Sequence, residues 1–159
     1  MSFSYRIENF PQTKLIGARI RTTMAQAGTD CPALWLSFGP RLCGDLSKFA
    51  VGAKATYGVS RMIDEETFDY WALIETQIED LSSLPDNIES FTIEEGLFVR
   101  AEVDNLEQLG AAFNALYSQW PQTQTEYTLN MHGICFEYYP IPWQPTDAFA
   151  IYAPVIRKT

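Results

Sequence analysis

The segment Asp104-Asn105-Leu106-Glu107-Gln108-Leu109-Gly110-Ala111-Ala112-Phe113-Asn114-Ala115-Leu116-Tyr117-Ser118-Gln119-Trp120 decides the reading of the second half of the chain. Leu106, Leu109, Phe113, Leu116, Tyr117 and Trp120 fall at i, i+3, i+7, i+10, i+11 and i+14, which places them on one stripe of an α-helix. Asp104 offers an N-cap, and Glu107 three residues later completes a capping-box-like pair. Pro121 ends the helix because it has no N–H to continue it. Ahead of this helix runs an extended segment, 91–103, interrupted by Glu94-Glu95-Gly96. Behind it come two strand-like runs, 132–140 and 148–156, joined by a connection that Pro140, Pro142 and Pro145 keep irregular. The order is strand, helix, strand, strand.

The first half repeats that order. An extended segment at 14–23 holds Leu15, Ile16 and Ile20. Thr29-Asp30-Cys31-Pro32 reads as a helix start with an N-cap and a first-turn proline. Residues 33–49 carry Leu34, Trp35, Phe38, Leu42 and Leu46 at helical spacing, with a break expected at Gly39-Pro40. Strand-like runs at 55–62 and 68–76 follow, joined by the polar turn Asp64-Glu65-Glu66. A loop at 81–87, marked by Ser82, Ser83 and Pro85, joins the halves. The expectation is one α+β domain over 1–159, with half-repeats at about 1–80 and 88–159. It is a duplicated βαββ unit with a mostly antiparallel sheet, two main helices and a ligand cleft between pseudosymmetric halves. The repeat is one of element order; the residues of the halves do not align.

The chain has 159 residues, a net charge of −9 and 14% aromatic residues. The aromatic share exceeds what a core of this size needs and points to a cavity or interface that uses rings. The negative field argues against nucleic acid, whose phosphates require clustered Lys and Arg, and draws cations; plain solubility explains the charge equally well. Cys31, Cys43 and Cys135 are odd in number and show no CxxC spacing, so a reducing cytoplasm fits better than a disulfide framework. No signal peptide and no membrane-spanning apolar run is visible. His132 is the sole histidine. It has no partner pattern for nucleophilic catalysis, and with three scattered cysteines it makes no metal site. No phosphate-cradling glycine loop is present, so neither catalytic residues nor a cofactor is assigned. The acidic runs at 64–66 and 94–95 read as solvated turns.

The chemistry concentrates at Cys135-Phe136-Glu137-Tyr138-Tyr139. Strand alternation puts Cys135, Glu137 and Tyr139 on one face, and Phe136 and Tyr138 on the other. A carboxylate buried without a partner is costly in its ionised form. An organic cation relieves that cost, and surrounding rings add about 0.5–2 kcal/mol per good cation–π contact. Alternatively, Glu137 faces water on an edge strand or pairs with an arginine. Tyr152, in Phe149-Ala150-Ile151-Tyr152-Ala153-Pro154-Val155, has a hydroxyl within reach of the neighbouring strand or is simply a core residue. Trp35, Tyr57, Tyr70, Trp71 and Phe113 are each core or cage.

Several segments together resemble the GyrI-like (gyrase-inhibitor-like) effector-binding domains, which also form the sensor part of many AraC-type and MerR-type multidrug regulators. The carrying residues are Tyr57-Gly58-Val59, Phe68-Asp69-Tyr70, Phe91 through Phe98 (FTIEEGLF), Leu116-Tyr117-Ser118-Gln119-Trp120, Phe136-Glu137-Tyr138-Tyr139 and Ile151-Tyr152-Ala153-Pro154-Val155. They run in family order over nearly the whole chain. The resemblance implies the duplicated βαββ fold and a central cavity for lipophilic, often cationic, small molecules. It implies that Glu137 and Tyr152 sit in that cavity, with Tyr139 lining the same face. Glu94 stands where the family usually has proline, and there is no room for a DNA-binding domain. The chain therefore looks like a stand-alone sensor module, a form sometimes carried on mobile gene cassettes.

The leading expectation is a small-molecule binding module for lipophilic or aromatic cations. Glu137 supplies counter-charge, Tyr152 and Tyr139 a polar and aromatic wall, and Trp35, Tyr57, Trp71 and Phe113 apolar contacts. One alternative is a hydrolase of electrophilic small molecules that uses Glu137 and Tyr152. The other is an interaction protein that inhibits or shields a protein partner.

Overall fold

The computed structural model describes residues 3–159. Its strands are β1 (Tyr5–Phe10), β2 (Thr13–Thr23), β3 (Ala55–Met62), β4 (Thr67–Glu75), β5 (Glu89–Ile93), β6 (Gly96–Val103), β7 (Tyr127–Leu129), β8 (Cys135–Pro140) and β9 (Phe149–Arg157). Its α-helices are α1 (Ala27–Phe38), between β2 and β3, and α2 (Leu109–Ser118), between β6 and β7. The expected α+β, βαββ duplication is present as β2-α1-β3-β4 and β6-α2-β8-β9.

The strand order is β1-β6-β9-β8-β3-β4-β2-β5, with β7 added on β9. Every pairing is antiparallel. The order reads the same from both ends, and the halves meet at β3 and β8, where Gly58 pairs with Glu137. Each half also lends one strand to the other: β1 pairs with β6 and β5 pairs with β2.

This exchange forces the sheet to curl. Strand β1 lies at one edge, whereas β2 lies next to the other edge, yet only Pro11 and Gln12 separate them. Three Cα–Cα steps span at most about 11 Å. Glu94 and Glu95 impose the same limit on β5 and β6. The two crossovers meet, with Gln12 donating to Glu94 at 3.0 Å and Asn9 to Glu95 at 3.5 Å. Ring contacts record the curvature. Strands β1 and β3 stand four places apart, about 19 Å in a flat sheet, but the Phe10 and Tyr57 ring centroids are 6.4 Å apart.

The two faces are therefore buried differently. The inner face closes on itself around Phe10, Leu15, Tyr57, Trp71, Phe98, Phe136 and Tyr152, with no helix over it. Phe136 is central, with ring centroids 5.0 Å from Phe10, 5.2 Å from Phe98 and 4.6 Å from the stacked Tyr152. The outer face is covered by α2 over β6 and β9 and by α1 over β2 and β4.

Several boundaries differ from the sequence expectation. Helix α1 starts at Ala27, so Pro32 lies inside it, and Asp30 accepts the Thr22 hydroxyl at 2.8 Å instead of capping the helix. The helix stops before Gly39, and only a 3-10 turn, Gly39–Cys43, continues toward residue 49. Helix α2 is preceded by a 3-10 turn, Leu106–Gln108, and no side-chain cap bond forms at either start. A tertiary partner takes that place, since the Leu106 N–H donates to the Pro145 carbonyl at 2.9 Å. Strands β1 and β7 are additions that their short, mixed segments did not signal.

Truncating Phe136 to alanine should open a cavity at the centre of the inner face and cost about 3–5 kcal/mol. Urea unfolding of Phe136→Ala against the parent, with unchanged slope, would show this; a loss below 1 kcal/mol would mean that the curled face does not depend on this ring.

Candidate functional site

Alternation in β8 sends Glu137 to the outer face, under the helices. It is 6% exposed, one of four buried polar or charged residues among those described. Its Oε1 accepts the Tyr139 hydroxyl at 2.6 Å and the Tyr70 hydroxyl at 3.0 Å. Tyr70 in turn accepts the indole N–H of Trp35, on α1, at 2.9 Å. Gly58 makes this arrangement possible: a Cβ there would fall 2.6 Å from Glu137 Oε1 and closer still to the Tyr70 hydroxyl.

None of the ion pairs among the described residues includes Glu137. Burial pushes its carboxyl from the ordinary 4.5 up to about 7, against the two tyrosine hydrogen bonds, which favour the ionised form. Its charge acts on the groups around it. Burial, with Glu137 adding to it, drives the Cys31 thiol up to about 12 and the Cys135 thiol up to about 11. Burial and Glu137 likewise raise the Tyr70 and Tyr139 phenols far above the usual tyrosine range. Both thiols are thus held protonated, which makes them packing groups rather than nucleophiles.

Rings surround this carboxylate. Tyr139 lies edge-on to Trp35 at 6.0 Å, tilted against Trp143 at 4.5 Å and stacked on Phe149 at 5.0 Å. Across the floor, the Tyr117 hydroxyl of α2 and the Ser60 hydroxyl of β3 lie close enough to the Cys135 thiol to lower its pKa slightly against burial. Helices α1 and α2 share no extensive packing among the described residues, so the seam between them lies above Glu137.

Of the residues expected to share one pocket, Glu137, Tyr139 and Trp35 come together. Phe113, on α2, packs on the same outer face and stacks on Tyr117 at 6.4 Å. Tyr57, Trp71 and Tyr152 do not join them. The ladder pairs Phe136 with Tyr152 and Val59 with Trp71, and all three rings belong to the inner core. Their polar ends bond to carboxylates at its rim: Tyr152 to Glu8 at 2.9 Å, Tyr57 to Glu75 at 2.7 Å and Trp71 to Glu89 at 2.7 Å. The expectation that Tyr152 shares a cavity with Glu137 is therefore corrected: the sheet itself stands between them, and they cannot act together on one molecule as a hydrolytic pair. The alternatives for Glu137 of an edge strand or an arginine partner also fall away, since β8 is flanked by β3 and β9.

Sequence reading left out Cys31, Tyr117, Trp143 and Phe149, and left Tyr70 undecided between core and cage. Strand β4 is buried on both faces, so alternation cannot tell Tyr70 from Trp71. The others come from separate segments, and no spacing links them. Two open surface depressions lie elsewhere: one of about 490 Å³ is lined by Arg19, Ile20, Arg21 and Asp69, and one of about 330 Å³ by Tyr5, Arg6, Ile7 and Trp120 among others. The space over Glu137 is filled by its own tyrosines and by Trp35. Among the described residues no group of three or more His, Cys, Asp or Glu side chains is placed to hold a metal ion. No helix there is long and apolar enough to cross a membrane.

Comparison with known proteins places this fold. An integron cassette protein from the mobile metagenome of Vibrio cholerae superimposes with a TM-score of 0.70 at 16% identity, over 97% of each chain. SAV2435, solved bound to tetraphenylphosphonium, gives 0.75 at 14% identity, over 96% of this chain and 94% of that one. The EcmrR C-terminal domain gives 0.71 at 15% identity, over 99% and 100%. No curated protein sequence matches the chain. The family model described as "Cass2: Integron-associated effector binding protein" matches residues 6–155, and the chain accordingly belongs to the Cass2 family of integron-associated effector-binding proteins.

Proposed function

We propose that this protein binds a lipophilic, aromatic cation over Glu137, in the seam between α1 and α2. The observation that carries the proposal is a buried carboxylate with no cationic partner, held by two tyrosine hydroxyls and ringed by aromatic side chains. Such a group is costly to ionise in the empty protein, and its proton affinity near neutral pH lets a cation replace the proton at little expense. Tyr139, Tyr70 and Trp35 then face the cation, each good contact adding about 0.5–2 kcal/mol. Family membership and a structural relative bound to tetraphenylphosphonium support the same ligand class.

Access requires α1 to move. Among α1 residues only Phe38 is fully buried, and two side-chain bonds tie the helix down: Thr22 to Asp30 and Trp35 to Tyr70. A helix so lightly anchored opens at low cost, whereas α2 buries Ala112, Ala115 and Leu116. Phe113 and Tyr117 of α2 form the opposite wall. The net charge of −9 concentrates cations and opposes direct contact with nucleic acid. The three free thiols suit a reducing compartment such as the cytoplasm.

Tetraphenylphosphonium should bind, and tetraphenylborate, of similar shape and opposite charge, should not. Glu137→Gln keeps the hydrogen-bond acceptor and removes the charge, so it should weaken the cation by about tenfold or more. Titration calorimetry decides: equal affinity of parent and Glu137→Gln would remove the electrostatic part, and binding of neither ion would remove the proposal. Affinity for the cation should also rise with pH, by up to about tenfold per pH unit below 7, and level off above it.

Stability without ligand should run the other way. The folded carboxyl titrates near 7 and the unfolded one near 4.5, so the folded state holds the proton more tightly between them. The stability contributed by neutral Glu137 is complete below 4.5 and is lost as pH rises through 7, on the order of 3 kcal/mol. Denaturant unfolding from pH 5 to pH 8 should show this fall, and Glu137→Gln should flatten it.

A further inference from the structure

Strand β2 runs well past the strand that borders it. Strand β5 pairs with it from Thr13 to Gly17, whereas β2 continues to Thr23. The chain meets this edge only after Asn87, at φ 68°, has turned it, and β5 begins at Glu89. The matching strand of the other half has no such gap. Strand β1 pairs with β6 from Gly96 to Ala101, and the Ser4 carbonyl then accepts the Glu102 N–H. Among the described residues, no strand borders residues 18–23 on the side away from β4.

The ladder fixes which backbone groups are left over there. Thr76 donates to the Lys14 carbonyl and Met24 to the Glu66 carbonyl, so the even-numbered residues of β2 bond to β4. The odd-numbered ones turn their N–H and C=O the other way, where Thr13, Leu15 and Gly17 meet β5. Arg19 and Arg21 direct the same groups over the unbordered edge, and no other backbone bond takes them up. An open depression of about 490 Å³ lies along this edge, lined by Arg19, Ile20, Arg21 and Asp69.

The side chains beside the edge carry a charge opposite to that of the whole protein. Arg21, Asp69 and Arg61 form one row across β2, β4 and β3. Arg21 pairs with Asp69 at 2.9 Å, and Arg19 lies between Asp69 and Glu89 at 3.7 and 3.4 Å. Arg61 has no ion pair among the described residues and lies over the Trp71 and Phe91 rings at 5.3 and 5.5 Å. Three guanidinium groups thus face two carboxylates, Asp69 and Glu89, in a chain whose net charge is −9. The Arg19 and Arg21 side chains are 47% and 63% exposed, so both are open to a strand laid beside them. They also turn away a second copy of this edge. A twofold axis at Ile20 sets Arg19 opposite Arg21, and one at either arginine sets it opposite itself; like charges directly opposite are destabilising.

We infer that residues 18–23 of β2 are a docking edge for an extended acidic peptide of a partner protein, which adds an antiparallel strand to the sheet and sets carboxylates two residues apart opposite Arg19 and Arg21. The added strand continues the direction of β5. Its residues opposite Arg19 and Arg21 exchange both N–H···O bonds with them, which supplies affinity. Their side chains lie on the face of the guanidinium groups, where charge-assisted bonds supply specificity. The residue between them faces the other way, beside Ile20. This edge is independent of the cation site over Glu137, and either proposal stands without the other.

The probe is a five-residue peptide, blocked at both ends, in which valine and glutamate alternate with valine first. Titrated into the protein and followed by amide NMR, it should shift the Arg19 and Arg21 N–H signals and slow their exchange with solvent. Replacing both glutamates by lysine should weaken binding by about tenfold or more, and so should N-methylation of both glutamates, whose N–H groups face β2. N-methylation of the central valine, whose N–H points away from β2, should change the affinity by less than about threefold. These comparisons alter only the peptide, so folding of the protein does not enter. Arg19→Gln should also weaken the acidic peptide, with thermal unfolding as its control. Failure of the acidic peptide to bind overturns the inference, as does binding that the lysine peptide matches. Equal tolerance of the two methylation patterns overturns strand addition. A dimer of the protein alone, in which the Arg19 and Arg21 amides are already protected, overturns it too, because a second copy then holds the edge.

Discussion

The two crossovers, Pro11-Gln12 and Glu94-Glu95, set the shape of this protein. Each joins a strand at one edge of the sheet to a strand beside the other edge, and two residues cannot bridge a flat sheet of this width. The sheet must curl until its edges nearly meet. Curling buries the inner face without any helix, and rings are suited to that space because they fill it from strands that are distant in the sheet order. Gln12 and Asn9 then bond Glu94 and Glu95 where the crossovers meet. These glutamates are thus more than the solvated turn that their sequence suggests.

Because the inner face is filled by its own side chains, the cation site proposed above lies on the outer face. Helices α1 and α2 cover it from opposite halves and leave a seam over the junction of β3 and β8. Glu137 lies on that junction opposite Gly58, where one half contributes the carboxylate and the other contributes space. Had residue 58 any side chain, the Tyr70 hydroxyl could not reach Glu137. The tyrosine bonds favour the ionised form, whereas burial opposes it more strongly. The balance leaves a carboxyl that titrates near 7 rather than near 4.5.

Much of the fold was legible in the residues. The stripe from Leu106 to Trp120 identifies the region of α2, and Pro121 marks where the α-helix has already given way to a 3-10 turn. The 55–62 run matches β3, and the two-fold βαββ order follows from the succession of segments. Helix ends were less legible. Asp30 has a tertiary hydrogen bond to make, and the N–H of Leu106 finds a carbonyl 39 positions away, at Pro145. Local capping rules do not see such partners.

The sequence by itself determined that Glu137 and Tyr139 share a face of β8 and that Phe136 lies on the other, because side chains alternate along any strand. It also determined an acidic chain with an unusual number of rings. Only the tertiary structure decided which rings meet the carboxylate. Tyr57, Trp71 and Tyr152 went to the inner core, whereas Tyr70, Trp35 and Trp143 gathered with Tyr139 and Glu137 on the outer face. The reason is register: a shift of one residue between neighbouring strands exchanges every side chain between the faces, and the pairing of strands far apart in sequence leaves no trace in the local spacing of residues.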